Sequence, residues 1–143
     1  MAAHLDLVRR LSSTERGLAV VAVVRDDDTV HASVVNAGVL ETARVAGGPF
    51  VAFVARGSAR KLAYLRRRGR GAIVFRSGWE WVSVEGPAAI VGPDEVADLP
   101  ALLREVFAAA GGTHDDWATF DRVMAEERRV AVLVTPARII SNG

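Results

Sequence analysis

The sequence predicts a mainly β fold: a small antiparallel barrel with peripheral helices. Three observations point there. Runs of β-branched and aromatic residues recur, each too brief for a typical helix and each closed by turn residues. Strands and helices do not alternate along the chain, which argues against a doubly wound parallel sheet. Finally, 143 residues of which 50% are apolar suffice for one core and one domain, residues 1–143.

The elements follow in order. His4 to Leu11 fits a short amphipathic helix with Leu7, Val8 and Leu11 on one face. Leu18 to Val24 is a β-branched run, hence a buried strand; Asp26-Asp27-Asp28 makes a turn, and Val30 to Asn36 returns as its hairpin partner. Gly47-Gly48-Pro49 punctuates before a strand over Phe50–Ala55. A helix then opens at Ser58 and ends near Gly69. Ala72 to Phe75 is a strand, Ser77-Gly78 a turn, and Trp79 to Gly86 a long strand that Gly86-Pro87 bends before Ala88 to Val91. Pro93 to Ala110 reads as a helix broken by Gly111-Gly112, and a second helix runs from Thr113 or His114 to Glu127. Arg129 to Val134 is the last strand, followed by Thr135-Pro136 and a short tail.

Composition removes several functions. With no cysteine, disulfides, thiol catalysis and zinc–thiolate sites are absent. His4, His31 and His114 are isolated, with no HxxxH or HExxH spacing, so a resident metal is not expected. There is no GxSxG elbow, P-loop or Rossmann fingerprint. Asp115-Asp116 and Glu126-Glu127 read as solvated pairs at helix ends. No apolar run reaches the ~18 residues of a membrane span. The N-terminus lacks the charged-then-apolar layout of an export signal, and a cytoplasmic protein is the expectation.

The net charge of +1 hides an asymmetry. Between Glu41 and Glu80 lie nine basic residues and no acid, so the rest of the chain is eight charges negative. Such a field attracts an anionic partner. Nucleic acid is the weaker candidate, because the cations cluster around one helix and aromatic stacking residues are few.

That helix carries its charges at the wrong end. Ser58 is the natural N-cap, which puts Arg60 and Lys61, the only lysine of the chain, in the first turn. Cations there face a dipole that is already positive, at a cost of up to ~1 kcal/mol each. An anion on the helix start reverses the sign, since free N–H groups, the Ser58 hydroxyl and both side chains would converge on it. The alternative is two solvated surface cations. Trp79 and Trp81, two apart on one strand, are expected on the same side, one in the core and one against a flat ligand.

The segment Phe53-Val54-Ala55-Arg56-Gly57-Ser58-Ala59-Arg60-Lys61, followed by Trp81-Val82-Ser83-Val84-Glu85-Gly86, resembles the split β-barrel flavin-binding family. That family is typified by pyridoxamine 5′-phosphate oxidase and the deazaflavin-dependent reductases. Its phosphate-binding Ser-Arg-Lys is matched by Ser58-Ala59-Arg60-Lys61, and its Val-x-Val-x-Gly strand end by Val82 to Gly86. Thr135-Pro136-Ala137-Arg138 is similar to the final strand and tail of the deazaflavin branch.

The resemblance implies a six-stranded antiparallel split β-barrel over residues 5 to 140. Arg60 and Lys61 would hold a cofactor phosphate, with Arg56 and Ser58 beside them. Ser33, Val34, Val35 and Asn36 would offer strand backbone to the ring, and Val54 and Ala55 would lie beneath it. Trp81 stands where the oxidase has a polar side chain; this, the inserted Ala59 and the missing Trp/Arg tail signature argue against a true pyridoxamine phosphate oxidase. The arginine density suits the longer anionic tail of coenzyme F420. The implied activity is hydride transfer from that deazaflavin to a planar conjugated acceptor, with the cofactor carrying the reactivity and no side chain as nucleophile. FMN is the alternative cofactor, and a non-catalytic flavin carrier or sensor the alternative outside enzymes. The family builds its sites at a dimer interface, so a homodimer is expected. The preference for arginine over lysine points to a GC-rich genome such as those of actinobacteria.

Overall fold

The computed structural model describes residues 2–143; Met1, where the segment read for an export signal begins, lies outside them. In chain order the elements are α1 (Ala2–Thr14), β1 (Leu18–Val24), β2 (Val30–Leu40), β3 (Phe50–Ala55), α2 (Arg60–Arg68), β4 (Arg70–Ser77), β5 (Glu80–Val91), α3 (Leu99–Ala109), α4 (Trp117–Glu126), β6 (Val130–Val134) and β7 (Arg138–Ser141). The strands hydrogen-bond in the order β4-β1-β2-β3-β6-β5-β7, and a further β4–β5 pairing closes six of them into an antiparallel barrel with β7 outside. No helix among the described residues is long and apolar enough to cross a membrane.

Two long strands each serve both halves of the barrel. Over Val30–Asn36, β2 pairs with β1; from Ala37 to Leu40 it pairs with β3 on its other edge. In the same way β5 pairs with β4 over Glu80–Pro87 and with β6 over Ala88–Val91. Each switch leaves a seam where half a strand has one edge to spare. At β5 the chain fills it: after β6, the Thr135 N–H donates to the Pro87 carbonyl and the Ala137 N–H to the Glu85 carbonyl. Then β7 pairs with Val82–Glu85. Gly86 makes this possible, because a Cβ there would collide with the backbone carbonyl of Thr135. At β2 nothing fills the seam: over Val30–Asn36 no strand among the described residues pairs with the edge turned away from β1.

The interior explains the period-two patterning. Along β1 the inward residues Ala19, Val21 and Val23 are buried while Leu18, Val20 and Val24 are exposed. Strands β3 and β6 are almost continuously buried, since α3 packs over the face that turns away from the barrel. Phe53, Ile73, Phe75 and Val82 fill the barrel, joined by Val8 and Leu11 from α1 and by Leu62 and Leu65 from α2. A second core lies between Ala52 and Leu133 of the sheet and Leu102, Val106 and Phe120 of α3 and α4. At nine residues α2 is too short to stand alone. Burying Leu62 and Leu65 completely, at about 1.5–3 kcal/mol each, holds it in place. Gly69, at φ +69°, ends it with its N–H on the Leu65 carbonyl.

Several boundaries differ from the sequence reading. The tail is a seventh strand, which short-range patterning does not show because its partner lies more than fifty residues away. The Gly86-Pro87 bend does not interrupt β5, which stays one strand and changes partners there. Helix α3 begins at Leu99, where the Asp98 carboxylate accepts from the Ala101 N–H; α4 begins at Trp117, where Asp116 accepts from the N–H and hydroxyl of Thr119. Asp116 is therefore the cap of α4, and like Asp115 it stays exposed at the helix end. Trp79 is not on a strand: with Gly78, at φ +61°, it forms the two-residue turn between the paired Ser77 and Glu80.

Candidate functional site: the open seam beside helix α2

At the seam, β2 and β3 part where Ala37 and Phe53 make their last pair. The opening is a groove of about 330 Å³ lined by Val34, Val35 and Asn36 from β2, Val54 and Ala55 from β3, Arg56, Ser58 and Ala59 from the following turn, Lys61 from α2, and Arg129 before β6. Backbone donors and acceptors on the spare edge of β2 are free to meet a ligand. Eight of the twelve residues named from the sequence thus meet in one place: Val34, Val35, Asn36, Val54, Ala55, Arg56, Ser58 and Lys61. Ser33, Arg60, Trp79 and Trp81 do not line it. The Ser33 side chain points into the barrel, and its hydroxyl is buried with no hydrogen-bond partner.

The turn into α2 departs from expectation. Ala59, not Ser58, occupies the N-cap position, and no side chain caps the helix. The Ala59 N–H donates to the Arg56 carbonyl (3.0 Å), a tight turn that moves the helix start one residue on and leaves the Ser58 hydroxyl without a partner among the described residues. The first-turn N–H groups therefore lack the acceptor that a capping hydroxyl would supply.

The two ends of α2 treat their cations differently. At its C-terminus Arg67 pairs with Asp26 (2.7 Å) and Arg68 with Asp28 (2.6 Å), both on the β1–β2 turn. Arg44 pairs with Glu105 and Arg56 with Glu127. Four of the nine cations in the acid-free segment are thus neutralised by partners distant in sequence, which corrects the picture of a single +9 field. Lys61 is not neutralised. It is half-buried, burial alone pushes its pKa below the ordinary value, and no carboxylate pairs with it among the described residues. Its Nζ lies 5.9 Å from the centre of the Phe53 ring, at the outer limit of a cation–π contact.

Arg129 was not foreseen. A Cβ on Gly57 would come within 2.6 Å of the Arg128 carbonyl, so the glycine lets the β3–α2 turn press against the α4–β6 connection. Glu127 there accepts from both Arg56 (2.8 Å) and Arg129 (3.0 Å). The contact spans some seventy residues, and nothing local in Glu127-Arg128-Arg129 signals it. A second hollow of about 480 Å³, against α3 and α4, shares Asn36, Val54 and Arg129 with the groove.

The tryptophans are elsewhere. Trp79 is 93% exposed on its turn, and Trp81 is half-buried beside Arg76, its backbone N–H on Asn142. A turn at Gly78-Trp79 breaks the alternation that would have put both on one face, and neither reaches the groove within one chain. His31 packs against Tyr64, ring centres 5.9 Å apart, and His114 joins an aromatic group with Phe107, Trp117 and Phe120. No cluster of three metal-ligating side chains exists among the described residues.

No protein-family model and no curated protein matches the sequence. Solved structures do match the fold. A conserved hypothetical protein from Mycobacterium tuberculosis superposes with a TM-score of 0.70 at 21% identity, over 98% of this chain and 82% of that one. An F420 reductase gives 0.61 at 17% identity, covering 90% and 94% of the two chains. A pyridoxamine 5′-phosphate oxidase-related, FMN-binding protein from Nostoc punctiforme gives 0.59 at 11% identity, covering 98% and 81%. The chain therefore has the split-barrel fold of the proteins related to pyridoxamine 5′-phosphate oxidase.

Proposed function

We propose that the protein is a cytoplasmic homodimeric oxidoreductase that binds coenzyme F420 in the open seam and passes a hydride to a planar conjugated acceptor. The observation that carries this reading is Lys61: a half-buried cation with no counter-charge, at an uncapped helix start, beside a strand edge left unpaired. Each feature costs free energy in the empty protein, and one anionic, flat ligand offsets all three. Lys61, Ser58 and the α2 N–H groups would take the phosphate, and the β2 edge at Val34–Asn36 would hydrogen-bond the ring above Val54 and Ala55. Arg60 on the same helix end, with no carboxylate partner among the described residues, and the rim pair Arg56 and Arg129, which share the one carboxylate of Glu127, extend the positive surface beyond a single phosphate, which favours the longer anionic tail of F420 over FMN. When bound in reduced form, such a cofactor supplies a hydride, which the acceptor takes at carbon while a proton follows from solvent. The chain's own residues bind, orient and exclude water; none is placed as a nucleophile.

Dimerisation is supported by an uncovered apolar face. The cross-strand pairs Val24–Val30, Ala22–Ala32 and Val20–Val34 share the outer side of β1 and β2. Val30 and Val34 on that face are 60% and 63% exposed. A contiguous apolar surface of this kind marks an interface. It adjoins the seam, because Val34 belongs to both, so a second copy covering it would wall the groove. A monomer by light scattering that still binds cofactor tightly would contradict this. The cofactor itself is tested by titrating purified protein with F420 and with FMN. F420 is expected to bind and to displace FMN; FMN co-purifying at one per chain and resisting F420 would reverse the assignment.

A further inference from the structure

We propose that the hollow beneath α3 and α4 is a binding chamber for a carboxylate carried on a flat apolar body, with Arg16 and Arg129 as its anion-recognising pair. For its role as the acceptor's chamber the proposal rests on the function proposed above; the binding chemistry stands on the chamber's own residues. The sequence shows no second basic cluster, since these two arginines are more than a hundred residues apart, yet the fold sets both on the lining of one hollow of about 480 Å³.

One side of its wall is apolar, from Val106 and Phe107 of α3 and Phe120 and Met124 of α4, and the rest is polar side chain and backbone, including Asn36 and Thr113. The partly exposed Phe107 is tilted onto the buried Phe120 with ring centres 5.0 Å apart, which holds its ring firmly as an apolar contact for a flat body. No acidic residue lines the chamber. Arg16 pairs with no carboxylate among the described residues; Glu15, next in the chain, opens onto a different hollow with Leu18 and Val34. Arg129 shares Glu127 with Arg56. Of the two cations on the chamber's lining, Arg129 thus has a shared counter-charge and Arg16 has none among the described residues.

The mouth is also fixed in place. The Asn36 amide donates to the Arg16 carbonyl (3.1 Å). The next residue ties to both neighbours: the Gly17 N–H donates to the Ser12 carbonyl (2.6 Å), and the Gly17 carbonyl accepts from the Ala37 N–H (2.7 Å). The turn that carries Arg16 is thus anchored to β2 at the point where the seam opens. A guanidinium on a fixed turn binds a planar carboxylate in two-point fashion, and neutral planar molecules gain nothing from it. The chamber and the seam groove share Asn36, Val54 and Arg129 on their linings, so a molecule held here would lie next to a ring resting on Val54.

The test is isothermal titration of the protein, alone and loaded with F420, with 2-naphthoate and its neutral counterpart 2-naphthamide. The carboxylate is expected to bind about tenfold or more tightly than the amide. Arg16→Gln should remove most of that advantage, Arg129 keeping the remainder, and leave naphthamide and F420 unchanged. Equal affinities of the two probes in the wild type, or an equal loss for both in Arg16→Gln, would overturn the proposal. So would an Arg16→Gln protein that binds F420 more weakly and naphthoate as before, since that would assign Arg16 to the cofactor's own tail. Lys61→Ala separates the two readings: it should weaken F420 and leave naphthoate as before. Discrimination by Arg16 in a protein that binds neither F420 nor FMN would uphold the chamber and sink the cofactor assignment.

Discussion

The barrel has two seams, and the chain treats them oppositely. At β5 the spare edge is covered by the chain itself: Thr135 and Ala137 continue the ladder, β7 completes it, and Ile139 is buried beneath. At β2 the equivalent edge stays open, flanked by an uncapped helix start and a half-buried lysine without a counter-charge. A covered seam serves stability. An open one leaves unpaired backbone groups and an uncompensated charge, which the proposed cofactor would satisfy. The contrast within one chain teaches that the same strand-switching device can be closed by the chain or left with a free edge.

Substitutions at the two seams should therefore separate stability from binding. The largest effect belongs to the filled seam. Gly86→Ala drives a methyl group into the Thr135 carbonyl and should cost about 3 kcal/mol or more in urea unfolding. Wild-type stability in that variant would mean the seam is closed less tightly than the contact requires.

Next comes the open seam. Lys61→Ala should weaken cofactor binding by ~1.5–3 kcal/mol, roughly 10- to 150-fold. Folding stability should stay constant or rise slightly, because a cation leaves the positive end of α2. A fall in stability without a fall in affinity would return Lys61 to a structural role. The smallest effect is again at the filled seam. Arg138 pairs with Glu85 at 3.2 Å, but its side chain is 72% exposed. Arg138→Ala should change stability by no more than ~1 kcal/mol, and less at high salt. A larger change would show that β7 is held by its charges and not by its ladder.

Much of the architecture was legible in the sequence because it is local. Period-two runs, the Asp26–Asp28 turn, Gly69 and the Gly47-Gly48-Pro49 break each specify their own segment, and the helix-start cations stand out as soon as the dipole is considered. Lys61 and its turn could be singled out from that conflict alone. What the sequence hides is what the fold brings together from afar. Arg67 and Arg68 look like part of one basic field until Asp26 and Asp28 arrive across the hairpin. Arg129 reaches the groove only because Gly57 admits the Arg128 carbonyl, and Arg16 meets it only when β2 and α3 are packed. Ser58 misled for a different reason: a one-residue shift of the turn moves the cap to Ala59, and helix boundaries are least certain at that scale. Trp79 failed for the same cause, a turn one residue later than Ser77-Gly78 suggested.

The most direct test follows the charge on Lys61 itself. It is the only lysine, so its side-chain signal in isotope-labelled protein is unique. Burial holds its pKa below the ordinary 10.5. In the free protein the folded state thus releases this proton before the unfolded state does, and the contribution of Lys61 to stability rises with pH through that interval. A bound anion acts the other way: it restores the charged form, raises the pKa, and makes cofactor affinity fall as pH climbs past the free-state value. The account predicts a lysine that titrates below 10.5 alone and shifts upward when F420 is added. A lysine that titrates at its ordinary value and does not respond to F420 would contradict it.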